Sequence, residues 1–241
     1  MNVLPGGSLI IAWQVKSRPV LVVGGGDVAC GRVSSLLSAD AVVTVVAPAL
    51  PNDDLRAYIE SHPTITYINI TVTQDSIKDL LSGPDGPLYS MVLTAIDAPD
   101  ISRAIHAECK RVGIPVNIAD VPPLCDFYFA STIRRGPLQV AVSTGGSAPR
   151  LARRIRLDIE RGVDSLGDIE KAIENTAVLR AKLRVLTDNK PELHKTDQEK
   201  IRSRMQWMSR VCDSLSYTQL AQLKESLMDT MVSAYPNDPI M

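Results

Sequence analysis

Two short stretches carry residue types whose spacing can do chemistry. The first, Gly24-Gly25-Gly26-Asp27-Val28-Ala29, fits G-x-G-x-x-A directly after an apolar run at 20–23. In that pattern the first glycine allows a tight turn, the second lets backbone approach a pyrophosphate, and the small last residue lets helix pack against strand. The helix that starts there offers free N–H groups and a partial positive charge to a phosphate. A bare glycine turn is the plain structural alternative. The second stretch, VNIADVPPLCDFYF at 116–129, places Asp120 at the end of an apolar run, with Pro122 and Pro123 fixing the chain just beyond. A carboxylate on such an edge can take up and return a proton during catalysis. The alternative is a turn-forming Asx residue. Asp97 ends another apolar run and can line a ligand site or cap the next helix. Asp126 opens the segment after Asp120, where a structural role is expected.

A third feature is charge. Residues 130–161 hold seven arginines, Arg134, Arg135, Arg150, Arg153, Arg154, Arg156 and Arg161, against Asp158 and Glu160 alone. Guanidinium forks match carboxylates bidentately, so a polycarboxylate suits this excess; a solvated helix face is the other use for such residues. Elsewhere the charges balance. Lys plus Arg number 26 and Asp plus Glu 27, a formal net charge of −1, which gives no global attraction to nucleic acid or to an anionic membrane. Aromatics make up 4 % and no groove-reading motif occurs, which weighs further against nucleic acid. His62, His106 and His194 stand far apart, and Cys30, Cys109, Cys125 and Cys212 contain no C-x-x-C pair. No protein-held metal or disulfide framework is therefore expected. Nor is covalent catalysis, since there is neither a G-x-S-x-G elbow nor a Cys/His arrangement.

The elements that must position these residues follow from the hydrophobic pattern. Runs at 20–23, 41–47, 64–70, 91–96 and 115–119 read as buried strands, with helices at 27–38, 52–61, 76–81 and 101–112 between them and a plain loop at 83–87. This alternation predicts an α/β domain over residues 1–129, a Rossmann-like doubly wound parallel sheet. Residues 8–15 read as an extra strand ahead of it. The apolar run at 9–13 is too short for a signal h-region or a membrane span, so a soluble cytoplasmic protein is expected. After residue 120 strands follow one another, at 126–129 and 138–143, joined through 133–137, which predicts a small α+β region over 130–161. Its helix starts with Ser147 as cap and Pro149 in the first turn, and Leu151, Ile155 and Ile159 give it an apolar seam that a second copy of the chain can cover. From 162 to 241 only helical periodicity remains. Leu166, Ile169 and Ile173 begin one seam, Ile201, Met205, Met208, Cys212 and Leu215 make a second, and Leu220, Leu223, Leu227 and Met231 a third, while 235–239 reads as a loose tail.

Taken in order, GGGDVA, VNIAD-x-P-x-LCDFYF and AVSTGGSAPRLARRIR resemble the siroheme synthase family, and within it the fungal bifunctional members. The resemblance covers residues from 9 to 161 and continues as a weaker match of size and helicity to the end. It implies a homodimer of three-part subunits, made of a nucleotide-binding domain, a dimerisation region and a helical domain, with the active site where they meet. It implies NAD as cofactor and a reaction in which NAD+ takes a hydride from precorrin-2 to give sirohydrochlorin, after which ferrous iron, a substrate, enters the macrocycle. It further implies Asp120 as the catalytic group of both steps. The nucleotide contacts it assigns are Gly24, Gly25, Gly26, Asp27, Val28, Ala47, Asp97 and Asn117, and the substrate contacts Thr144, Gly145, Gly146 and Arg150. Precorrin-2 is rich in carboxylates, which gives the arginine excess a use. Inserting iron expels pyrrole protons, which one carboxylate can accept as it does during dehydrogenation. The lack of a His or Cys cage suits a metal that must be handed over.

Three positions depart from the pattern. The second strand ends in Ala47-Pro48-Ala49, with neither the acid that holds an NAD ribose nor an arginine for NADP, so that position does not choose between them. Thr144 stands where bacterial relatives carry a phosphorylatable serine, and no histidine lies near Cys212, where the fungal relative has some. Two alternatives stay open. A dehydrogenase without chelatase activity would insert no iron or cobalt into supplied sirohydrochlorin. A non-enzymatic NAD-sensing regulatory module would bind NAD without turnover.

Overall fold

The computed structural model describes residues 6–237, and the chain divides into two compact units, Met1–Phe129 and Ala130–Met241. The first unit runs β1 (Pro19–Val23), α1 (Asp27–Leu37), β2 (Val42–Val46), α2 (Asp53–Ser61), β3 (Ile65–Ile68), α3 (Ile77–Leu81), β4 (Ser82–Gly83), β5 (Gly86–Pro87), β6 (Met91–Thr94), α4 (Pro99–Val112) and β7 (Val116–Ile118). Five of these strands form a parallel sheet in the order β3-β2-β1-β6-β7, so the winding reverses between β1 and β6. Alternation along each strand sorts the core into two layers. Val20, Val22, Val43, Val45 and Leu93 meet Ala29, Val33 and Leu36 of α1 and Leu55 of α2. On the other face Leu21, Val23, Val46, Val92, Val116 and Ile118 meet Ile77, Leu81, Ile105 and Cys109. Strands covered on both faces need unbroken apolar runs, which is why the sequence shows them so clearly. Local rules end the helices: Asn52 caps α2 by accepting from the Leu55 N–H at 2.7 Å, and Gly113 closes α4 at a φ of 78°.

Three segments of this unit differ from the sequence reading. Residues 83–87 are not a plain loop, because β4 and β5 pair as a minimal antiparallel hairpin. Residues 8–15 join no ladder. The sheet edge at β7 is already flanked by the chain near residue 126, whose N–H donates to Val116 O at 2.9 Å, and Leu9, Ile10 and Ile11 are left 86 %, 64 % and 63 % exposed. Residues 126–129 are irregular rather than a strand: beyond the one backbone bond from the Asp126 N–H, side chains supply the pairing with β7. The Val116 N–H donates to Asp126 Oδ2 at 3.0 Å, and Asn117 Nδ2 donates to Phe127 O at 2.8 Å.

The second unit opens with a hairpin, β8 (Ser131–Arg135) and β9 (Leu138–Val142), which starts five residues later than expected, and continues through α5 (Pro149–Asp164), α6 (Ile169–Asn189), α7 (Asp197–Ser214), α8 (Tyr217–Ala221) and α9 (Glu225–Ser233). The residue at the start of α5 is Ala148 rather than Ser147, and Thr144 Oγ1 accepts its N–H at 3.2 Å. The helical core gathers Leu179, Leu183, Trp207, Val211, Leu220, Leu223, Met228 and Met231. The seam expected on α7 is only partly right: Met208 and Leu215 pack against this core, but the other three members do not. Ile201, Met205 and Cys212 are exposed, whereas Trp207 and Val211 are fully buried. An indole has more apolar area to hide than either competitor, and its N–H is satisfied by Asn237 O at 3.1 Å. Leu227 of the third seam is likewise exposed. Tyr235 is not part of a loose tail: it is buried, with its hydroxyl donating to Ser203 Oγ at 2.6 Å and 2.9 Å from His194 Nε2. Asp238 and Pro239 lie outside the described residues. Among the described residues no helix is long and apolar enough to cross a membrane.

Candidate active site

β1, β6 and β7 end side by side, and the chain leaving each one builds part of an open cleft of about 460 Å³. Gly26, Asp27 and Val28 line it after β1, Ala95, Ile96 and Asp97 after β6, and Ala119, Asp120 and Val121 after β7, while α4 adds Ser102 and Arg103. The place is the carboxyl edge where winding reverses, the position at which open α/β sheets bind ligands.

The three glycines have different duties. Gly24 has φ of 130°, and a Cβ there would sit 2.2 Å from Ala95 O; a Cβ on Gly25 would sit 2.2 Å from Ala49 O. Gly26 would meet nothing within 4 Å, so it opens the cleft floor rather than relieving a clash. It is also the N-cap of α1 and supplies no side-chain cap, which leaves first-turn N–H groups to a ligand. Asp27 is oriented by Asn52, whose Nδ2 donates to Asp27 Oδ1 at 2.8 Å. Asn52 escaped the sequence reading, although a capping residue before α2 was the available signal. A close-approach glycine turn feeding an uncapped helix fits the pyrophosphate of a dinucleotide. Ala47 does not line the cleft: it is buried under the turn, and its carbonyl accepts from Tyr67 Oη at 2.9 Å.

Asp120 stands on the cleft wall in the left-handed region, with φ of 60°. That conformation costs a non-glycine residue about 1–2 kcal/mol, so the surroundings must impose it. Here the Val121 N–H donates to Ile118 O at 3.3 Å, the Leu124 N–H to Val121 O at 2.9 Å, and Cys125 Sγ to Ile118 O at 3.1 Å. The carboxylate is exposed at the rim, where the strand has ended. Asp97 also lines the cleft and does not cap α4, whose N-cap is Ala98. Asn117 is not at the cleft. Its register opposite Leu93 turns it to the α1 face of the sheet, where it is buried against Phe127 O.

Thr144, Gly145 and Gly146 belong to the second unit, in the turn between β9 and α5, and Arg150 stands in the first turn of α5. Gly145 and Gly146 have φ of 59° and 81°, and the Gly145 N–H donates to Ser143 Oγ at 3.2 Å. Of the arginine excess, Arg135 pairs with Asp164 at 2.7 Å and Glu160 at 3.1 Å, Arg156 with Glu160 at 2.5 Å and Arg161 with Asp158 at 2.5 Å. Arg150, Arg153 and Arg154 make no ion pair among the described residues. Burial pushes the Cys109 thiol up to about 12, with Glu108 and Asp126 adding to the effect, and burial raises Cys30 and Cys125 too. Such thiols stay neutral and are poor nucleophiles. Among the described residues no three His, Cys, Asp or Glu side chains gather as a metal site.

The parallel sheet, the cleft at its switch point and the glycine turn define a Rossmann-like nucleotide-binding protein. Residues 11–131 match a family described as putative NAD(P)-binding, 135–162 the sirohaem biosynthesis protein central family and 167–241 the sirohaem biosynthesis protein C-terminal family. The chain is 42 % identical over 235 residues to siroheme biosynthesis protein met8 of Schizosaccharomyces pombe, covering 98 % of this chain and 82 % of that one. It is 40 % identical over 158 residues to siroheme synthase of Methylobacillus flagellatus, covering 64 % of this chain and 30 % of that longer protein. The chain therefore belongs to the siroheme biosynthesis protein family. A solved structure titled SirC, precorrin-2 dehydrogenase, superposes with a TM-score of 0.57 at 20 % identity, over 84 % of this chain and 100 % of that one, and so shares the fold.

Proposed function

We propose that this protein is an NAD-dependent precorrin-2 dehydrogenase that also inserts ferrous iron into sirohydrochlorin, acting as a homodimer in the cytoplasm. The observation that carries the reading is Asp120, a carboxylate held in a left-handed backbone on the wall of the cleft that Gly26 and the start of α1 also line. NAD+, when bound, supplies the acceptor for a hydride. The first-turn N–H groups of α1 would hold its pyrophosphate, and Gly24 and Gly25 keep the turn tight enough for that approach. Precorrin-2 must lose a proton together with the hydride, and Asp120 accepts that proton on a carboxylate oxygen. When ferrous iron enters sirohydrochlorin as substrate, the pyrrole N–H protons leave, and the same carboxylate passes them to water in turn. Thr144, Gly145, Gly146 and Arg150 serve the substrate in this reading. The exposed apolar face of α5 supports a second copy of the chain, and four free cysteines suit a reducing compartment.

Purified protein given precorrin-2 and NAD+ should develop NADH absorbance. Asp120→Asn keeps the left-handed backbone accessible, so it should bind NAD+ and melt like the wild type while turnover falls about 100-fold or more. No NADH from the wild type, or near-normal turnover in the variant, overturns the reading. Iron insertion into supplied sirohydrochlorin without NAD should also proceed, and its absence reduces the protein to a dehydrogenase alone.

A further inference from the structure

We propose that Arg32 is a carboxylate anchor for the acid-rich macrocycle, holding one of its acidic side chains at the Asp120 end of the cleft; this rests on the function proposed above. Val28 lines the cleft, and Arg32 follows it by one helical turn on the same face of α1. The guanidinium carbon lies 3.9 Å from the centroid of the Phe129 ring. Phe129 is itself fixed, its centroid 6.0 Å from Phe127, which in turn meets Trp13 edge-on at 5.8 Å and is tied to Asn117 through its carbonyl. Stacking on an aromatic face fixes the plane of a guanidinium while leaving its N–H edges free.

Those edges have no internal use. Arg32 is half-buried, yet it makes no hydrogen bond or ion pair with any described residue, and the Asp120 carboxylate is beyond ion-pair distance. Burial pushes the guanidinium below its ordinary value, while the nearby Cys125 thiol and Asp120 carboxylate act in the opposite direction. A desolvated fork without a partner, beside the proposed proton acceptor, is suited to an incoming carboxylate. The nucleotide would not compete for it: its pyrophosphate would be held at the N-terminus of α1 and its adenosine side by the chain after β2, on the other side of β1 from Asp120.

The test is a binding titration of the full-length protein with sirohydrochlorin, without turnover, using wild type, Arg32→Ala and Arg32→Lys, with the esterified macrocycle as a neutral ligand. Arg32→Ala should weaken sirohydrochlorin binding about tenfold or more. Arg32→Lys, which keeps the charge and loses the fork, should fall between the two. NAD+ affinity should be unchanged in both, and the ester should bind all three proteins alike. Equal sirohydrochlorin affinity in wild type and Arg32→Lys, a parallel loss of ester binding, or an equal loss of NAD+ binding overturns the anchor while leaving the proposed function standing. A wild type that does not bind sirohydrochlorin at all overturns both.

Discussion

Gly24, Gly25 and Gly26 look alike in the sequence and differ in what they do. A side chain at Gly24 collides with Ala95 O and requires a φ that only glycine adopts at ease, so Gly24→Ala should cost about 1–3 kcal/mol from backbone strain alone and lower the melting temperature. Gly26 has an ordinary φ of −90° and open space around it. Gly26→Ala should therefore melt like the wild type and bind NAD+ less well, and Gly26→Asp should bind it least, because it adds a charge against the pyrophosphate. A Gly26→Ala protein with normal NAD+ affinity would place the nucleotide elsewhere. The pattern G-x-G-x-x-A was legible because each spacing has a physical reason, but which glycine is steric and which faces the ligand depends on Ala49 and Ala95, which come from other parts of the chain. Asp120 was legible as the end of an apolar run. Asn117 lies away from the cleft because a strand turns alternate side chains to opposite faces, and three residues of β7 give too short a pattern to tell which face is which.

At the scale of elements, the parallel strands and their helices could be read from unbroken apolar runs, and the segments that pair through side chains could not. Residues 126–129 have the composition of a strand, yet the edge of β7 is satisfied by Asp126, which accepts the Val116 N–H and forms an ion pair with Lys110. Burial pushes the Asp126 carboxyl up, but the Lys110 ammonium and the Val116 N–H outweigh it, and its folded value lies below the ordinary one. The unfolded chain then binds more protons in the acid range, so the stabilisation is complete above the ordinary carboxylate value and is lost as pH falls through the folded value. Asp126→Ala leaves the Val116 N–H without its acceptor and should cost about 1–3 kcal/mol near neutral pH. Wild-type and variant melting curves should converge as pH falls through the lowered folded value of Asp126. A gap independent of pH would mean that the side chain acts through packing instead. The segment was hidden because alternation records which residues are apolar, not whether a backbone or a carboxylate supplies the partner.

For the whole molecule, the outstanding fact is an apolar helix face that this chain leaves bare. α5 buries Ala152 and Val163, while Leu151, Ile155 and Ile159 are 52 %, 38 % and 38 % exposed. The period of that seam was plain in the sequence, and a second copy of the chain is the cover proposed for it. Arg150, Arg153 and Arg154 flank the seam, and charges along the rim of an apolar stripe are the usual composition of a protein interface. Ile155→Glu puts a carboxylate in the middle of the stripe, where docking would strip its water, and should weaken self-association about 100-fold or more. Sedimentation of the wild type should give a dimer and of the variant a monomer. The nucleotide cleft is built entirely from residues 26–124, so the monomer should bind NAD+ with unchanged affinity. Turnover of precorrin-2 should nevertheless fall, because the turn that carries Thr144, Gly145 and Gly146 leads directly into α5 and loses its support when the helix loses its partner. A wild type that sediments as a monomer, or a monomeric variant with full turnover, would assign the bare face to something other than a second copy.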